Sequence, residues 1–246
     1  MNEAEYGQKY FVPSEYFWEI LEDTKVIPMI RGKASEYNGF LYLKNHLHSH
    51  IFTVDKLNLN AQPNESDEDV SITHRPTGYR LKVEVKNAVR GDFTLGKRAK
   101  VLRDIPHFKV KCHRSRSNMS KAETTNDRYV LGDFDLVMAN TLNALYEGNT
   151  LTGELQLIDK EEEIAFLKSY YNVTTDRELE CAANEDWRFA FPEDIAEDCN
   201  GILAIPRTPL VKLEGDEHWF KIDDLEERLV AKAIEKAREQ RRSRRR

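Results

Sequence analysis

Arg75-Pro76-Thr77-Gly78 constrains this chain more than any other short stretch, because proline at the second and glycine at the fourth position is a turn signature. Polar and apolar residues alternate on both sides, over 69–73 and again over 80–85, so the segment reads as a β-hairpin. With Arg75 and Gly78 closing the turn, residues that face each other have numbers summing to 153, which sets Asp69 opposite Glu84. Directly opposed side chains share a face, with Cβ atoms roughly 4.5–5.5 Å apart. Strand alternation sends Glu84 and Lys86 to that face and Val83 and Val85 into the core. Asp69, Glu84 and Lys86 therefore meet on one surface.

Two facing carboxylates repel each other unless a hard cation lies between them. Mg²⁺ suits such a place, since it takes one or two carboxylates and keeps several waters. A lysine beside it can orient or help deprotonate a bound water for in-line attack on phosphorus. An acid followed by Glu-x-Lys on an exposed strand also arises by chance, so its surroundings decide how it is read.

Before the hairpin, 6–30 is aromatic-rich and irregular, with a short helical pattern near 14–21. Ser35 after Gly32 suggests an N-cap, and Tyr37, Phe40, Leu41 and Leu47 form the apolar stripe of a helix running to His46. Residues 51–59 read as a strand and 60–67, with Pro63, as a loop. After the hairpin, 108–112 and 134–139 read as strands, 140–146 as a helix or turn, and 161–171 as a helix. Short apolar runs at 187–191 and 201–205 precede a charged helix over 223–241. Its acids come first and its bases last, as the helix dipole favours.

This order resembles the core of the PD-(D/E)XK nuclease superfamily, and within it bacterial type II restriction endonucleases. The residues that carry the likeness are Arg31-Gly32-Lys33-Ala34-Ser35-Glu36, Asp69-Val70-Ser71-Ile72, Glu84-Val85-Lys86, and the later stretch His113-Arg114-Ser115-Arg116 through Tyr129 to Asp133-Phe134-Asp135-Leu136-Val137. The likeness spans about 31–146. It implies an α/β (α+β) fold with a central mixed β-sheet flanked by helices. It also implies Asp69, Glu84, Lys86 and Glu36 as catalytic residues and Asp69, Glu84 and Val85 as positions around Mg²⁺. Glu68, where the family has proline, leaves Asp67 and Glu68 as rival ligands. Glu36 has two readings: it leans over the sheet to hold a second Mg²⁺ or a metal-bound water, or it satisfies a first-turn amide of its helix.

Charge is segregated. Residues 80–116 hold twelve Lys or Arg against three acids, 154–198 hold fourteen acids against four bases, and 228–246 hold nine bases against two acids. The net charge of −6 therefore does not exclude a polyanionic partner. Arg90, Lys97, Arg98, Arg114 and Arg116 are the expected DNA contacts, and Arg241 to Arg246 a sequence-independent one. His46, His48 and His50 read as solvent-facing, and Trp18, Trp187 and Trp219 as core. Three cysteines without paired spacing fit a reducing cytoplasm, and no apolar stretch is long enough for a membrane span.

The expected organisation is an aromatic-rich segment 1–30, a nuclease domain 31–222 and a charged helix with basic tail 223–246. The expected function is Mg²⁺-dependent, sequence-specific cleavage of double-stranded DNA by a homodimer, with no membrane and no small-molecule cofactor involved. The alternatives are a repair or junction-cleaving nuclease of the same fold, and a DNA-binding module without turnover.

Overall fold

The turn at Arg75–Gly78 closes its hairpin in the register that its residue types demand. Strands β1 (Phe52–Asp55), β2 (Val70–His74) and β3 (Tyr79–Asp92) run antiparallel in succession. The β2–β3 partners run from Val70↔Val83 to His74↔Tyr79, each pair summing to 153. Gly78 takes φ +69° and donates its N–H to the His74 carbonyl at 2.8 Å, a conformation glycine adopts without Cβ strain. In this computed structural model the described residues are 5, 7, 9, 11–56, 68–93, 105–113, 127–149 and 155–243.

The hairpin belongs to a seven-stranded mixed sheet, and the fold is α+β. Strand β4 (His107–Val110) pairs antiparallel with the far half of β3, and β5 (Leu136–Asn140) pairs parallel with its middle. Strand β6 (Trp187–Ala190) lies antiparallel on β5, and β7 (Leu210–Lys212) antiparallel on β4. Helices cover both faces. Val83, Val85, Leu136 and Met138 pack with Tyr42 and Leu43 of α1 (Ile27–His46) and with Leu225, Leu229 and Ala233 of α4 (Leu225–Ser243). Ala88, Val137 and Ala139 point the other way, toward Leu167 of α2 (Glu161–Tyr171) and Leu179 and Ala183 of α3 (Asp176–Glu185). Alternation along β3 and β5 thus builds two cores from the same strands.

Helix α1 departs from the sequence reading. It begins at Ile27, with Pro28 in its first turn, so Ser35 is not an N-cap and Gly32 lies within the helix. Its buried residues are Ser35, Gly39, Tyr42 and Leu43, whereas Tyr37 and Leu41 face outward. The reason is close approach. A Cβ at Gly39 would lie 3.3 Å from both Val85 methyls and from the Met138 methyl, so this turn of the helix seats a small residue on the sheet, while Tyr42 and Leu43, with Leu47 and Phe40 of the expected stripe, join the same core. The boundary drawn at 30/31 falls inside this helix, and α4 shares the α1 core. Trp187 and Trp219 are buried, but Trp18 is 59% exposed and does not join a core.

Elsewhere, 140–146 holds a 3₁₀ turn, Leu142–Leu145, and 201–205 holds a strand, Ile202–Ala204, paired with Glu197–Cys199. The expected loop at 60–67 lies outside the described residues. Among the described residues no helix is long and apolar enough to cross a membrane. Cys112, Cys181 and Cys199 are free thiols.

Candidate active site

The site forms at a break in the edge of β3. Successive backbone groups of a strand face opposite edges. The Lys82 carbonyl accepts from Asp135 N at 2.9 Å, which puts β5 on one edge. Strand β2 pairs with β3 only as far as Val83, and β4 takes over at Ala88, so among the described residues the other edge has no partner strand between them. A side chain fills that gap: the Val85 N–H donates to Asp69 Oδ2 at 2.9 Å. Asp69 stands one residue before β2 and is carried to Glu84 by the hairpin register.

Glu84 and Lys86 point away from α1, are mostly buried and form an ion pair. Tyr129 joins them. Its hydroxyl donates to Glu84 Oε1 at 2.7 Å and accepts from Lys86 Nζ at 2.9 Å, and the Lys86 ammonium lies 4.9 Å from its ring centroid. The Tyr129 ring meets Phe134 edge-on at 5.2 Å. Its backbone is held by Ile205 N, which donates to the Tyr129 carbonyl at 2.8 Å, and by a bridge from Val130 to Ala204. Ion pairs from Arg128 to Glu197 at 2.6 Å and from Arg207 to Asp127 at 2.7 Å flank it.

Burial raises the Asp69 carboxyl to about 7, with the charges of Glu84 and then Glu36 adding to it and Lys86 and the Val85 N–H opposing. Burial works against the Lys86 ammonium, but Glu84 and Tyr129 outweigh it and hold the proton above the usual lysine range. Burial, with Glu84, pushes the Tyr129 phenol upward as well. Buried Cys112 lies close enough to feel both charges, and burial pushes its thiol up to about 12.

Glu36 sits in the middle of α1, which removes the first-turn capping role. Its Oε2 accepts from Lys56 Nζ at 2.7 Å, and both its oxygens accept from Lys33 Nζ at 2.8 Å. Lys56, just past β1, also donates to the Asp69 carbonyl at 3.3 Å. The structure therefore brings Asp69, Glu84 and Lys86 together and places Glu36 beside Asp69. The Val85 side chain is in the core, against Gly39.

Other candidates are otherwise engaged. Arg90 pairs with Glu147 and, at 2.9 Å, with Glu163. Glu68 pairs with Arg80 through Oε1, while its buried Oε2 has no hydrogen-bond partner among the described residues. His46 Nδ1 contacts the Tyr42 carbonyl at 2.8 Å and its ring stacks on Tyr42, and His48 pairs with Glu226 at 2.8 Å. Lys97, Arg98, Arg114, Arg116 and Asp67 lie outside the described residues. Sequence reasoning named Tyr129 only within the stretch that carries the resemblance, gave it no role at the site, and missed Lys56. Neither stands in a local motif, and both act through partners distant along the chain.

Among the described residues no three His, Cys, Asp or Glu side chains gather into a metal cage. Mg²⁺ does not require one. Two hard carboxylates, one of them raised by burial and then by the other's charge, are the donor chemistry that such a cation satisfies, so Asp69 and Glu84 fit it. Compared with family models, curated proteins and solved structures, the chain has no match.

The Asp69 shift carries a stability prediction. Its folded value, about 7, exceeds the ordinary 3.8, so between those pH values the folded chain binds more protons than the unfolded one. Stability is then present below about pH 4 and is lost as pH rises toward 7, by up to a few kcal/mol. Asp69→Asn should raise the melting temperature at pH 8 in metal-free buffer and leave it unchanged at pH 4. An equal change at both pH values would contradict the electrostatic account.

Proposed function

We propose that this chain is a Mg²⁺-dependent endonuclease that hydrolyses phosphodiester bonds in double-stranded DNA, of the type II restriction kind, acting in the cytoplasm as a homodimer. The observation that carries this reading is the Asp69 carboxylate fixed in the β3 gap opposite Glu84, with Lys86 one strand step beyond. Asp69 and Glu84 would hold the ion. When bound, Mg²⁺ would polarise a phosphate oxygen and acidify a water. The chain's own groups do the rest. Lys86, kept protonated by Glu84 and Tyr129, serves best as a donor to the charge that develops on phosphorus-bound oxygens. Tyr129 limits where that ammonium points. A homodimer follows from the task, since one such site cuts one strand and a twofold pair cuts both.

Digestion of a sequenced plasmid with and without Mg²⁺, followed by mapping of the ends, tests the reading. Discrete fragments are expected only with the metal, and none from Asp69→Ala or Glu84→Ala, both of which should still bind DNA in Ca²⁺. Wild-type turnover in either variant would sink the site.

Tyr129→Phe separates positioning from packing, because the ring stays on Phe134 and only the hydroxyl goes. Loss of one buried hydrogen-bonded hydroxyl should cost about 1 kcal/mol. The cleavage rate should fall about tenfold or more, with DNA affinity in Ca²⁺ unchanged. An unchanged single-turnover rate would make Tyr129 a structural residue only.

A further inference from the structure

The carboxylates around Asp69 enclose two gaps, and they are filled differently. On the Glu84 side, the positive group nearest Asp69 among the described residues is the Lys86 ammonium, which is bound to Glu84 and Tyr129. Between the Glu36 carboxylate and the Asp69 main chain lies the Lys56 ammonium, 2.7 Å from Glu36 Oε2 and 3.3 Å from the Asp69 main-chain carbonyl. The Lys56 side chain is 6% exposed and that of Glu36 13% exposed. Lys56 Nζ also lies 4.9 Å from the Tyr37 ring centroid, where a cation is attracted by the ring face.

We propose that each site takes a single metal ion, because Lys56 supplies from within the chain the positive charge that a second ion would bring between Glu36 and Asp69. The inference rests on the nuclease reading and deepens it. A second divalent ion on Glu36 would have to share Oε2 with a buried ammonium, and the two cations would repel at close range with little water between them. Lys33 is a weaker rival for Glu36: its side chain is 70% exposed, so solvent screens it and it can swing away. Lys56 has no such freedom. It is held by Glu36, the Asp69 backbone and the Tyr37 ring, all on elements fixed by the sheet and α1. Glu36 therefore belongs to Lys56, and its part is to keep that ammonium beside Asp69.

The test is to count ions. Mn²⁺ is titrated into the full-length chain at millimolar concentration and the free ion is measured by electron paramagnetic resonance, with melting temperatures recorded alongside. The wild type is expected to bind one Mn²⁺ per chain, Lys56→Gln two, and Asp69→Asn about tenfold more weakly or not at all. Glu36→Gln should still bind one ion with affinity within about threefold of wild type. This arm, with the wild-type count, decides the matter should Lys56→Gln fail to fold. Two ions in the wild type, one in a folded Lys56→Gln, or a first ion weakened about tenfold by Glu36→Gln would each overturn the proposal. No ion in the wild type would remove the metal reading itself and this inference with it. That outcome is distinct from a count of two.

Discussion

Lys86→Met is expected to abolish DNA cleavage and to lower folding stability by about 3–5 kcal/mol, the cost of leaving a buried charge without its partner. Glu84 is 6% exposed and its compensation comes from the Lys86 ammonium, with one further bond from the Tyr129 hydroxyl. Removing the cation leaves a buried carboxylate without its charge partner. The double change Glu84→Gln/Lys86→Met removes both charges at once. It should recover most of the lost stability, since a buried pair contributes little net against neutral groups of similar shape. It should recover no cleavage. Urea unfolding and single-turnover cleavage on the wild type and the two variants measure this. Normal stability in Lys86→Met would mean that the pair is solvated in solution. Wild-type turnover there would dismiss the residue from the site.

Gly91→Ala should be the most damaging change of a single methyl group in the sheet. A Cβ at this position would stand 2.1 Å from the His107 carbonyl oxygen, 2.6 Å from the Phe108 Cα and 2.8 Å from the His107 carbonyl carbon. These are backbone atoms, which cannot swing aside as a side chain can. The register around Gly91 explains the contact. Val89 pairs with Lys109 and Asp92 with His107, so β3 carries an extra residue against β4 and presses its backbone onto the partner strand. Relief requires β4 to move, and Phe108 on that strand is fully buried. The expected loss is about 3 kcal/mol or more, a fall in melting temperature of roughly 6–12 °C for a chain of this size. A melting temperature within about 2 °C of wild type would show that the strands yield at little cost.

What was legible in the sequence was local. The Arg75–Gly78 turn sets a register by steric rules acting over four residues, and that register alone brought Asp69 to Glu84. Helix α1 was legible only in part, because Leu47 and Phe40 join the core as the apolar stripe implies, but the buried face also takes small residues that apolar periodicity does not mark. Ser35 and Gly39 form the seat and Tyr37 and Leu41 face out. Helix α3 was missed although Thr175 and Glu178 form a capping box, with Glu178 N on Thr175 Oγ1 at 3.2 Å and Thr175 N on Glu178 Oε2 at 2.9 Å. Tyr129 and Lys56 had no comparable signal, since each takes its role from groups supplied by other elements.

The support behind Tyr129 has a consequence for the order in which the site is made. The hairpin with Asp69, Glu84 and Lys86 leaves the ribosome early, and Tyr129 follows before its backing exists. Ile205, which grips the Tyr129 carbonyl, and Ala204, which bridges Val130, come some seventy-five residues later, and the second of the two helices on the Val83 face begins only at Leu225. A nascent chain therefore carries the acids without the clamp that orients the lysine. Synthesis from the N-terminus thus withholds the aligned arrangement of Glu84, Lys86 and Tyr129 until the segment around Ile205 has been made.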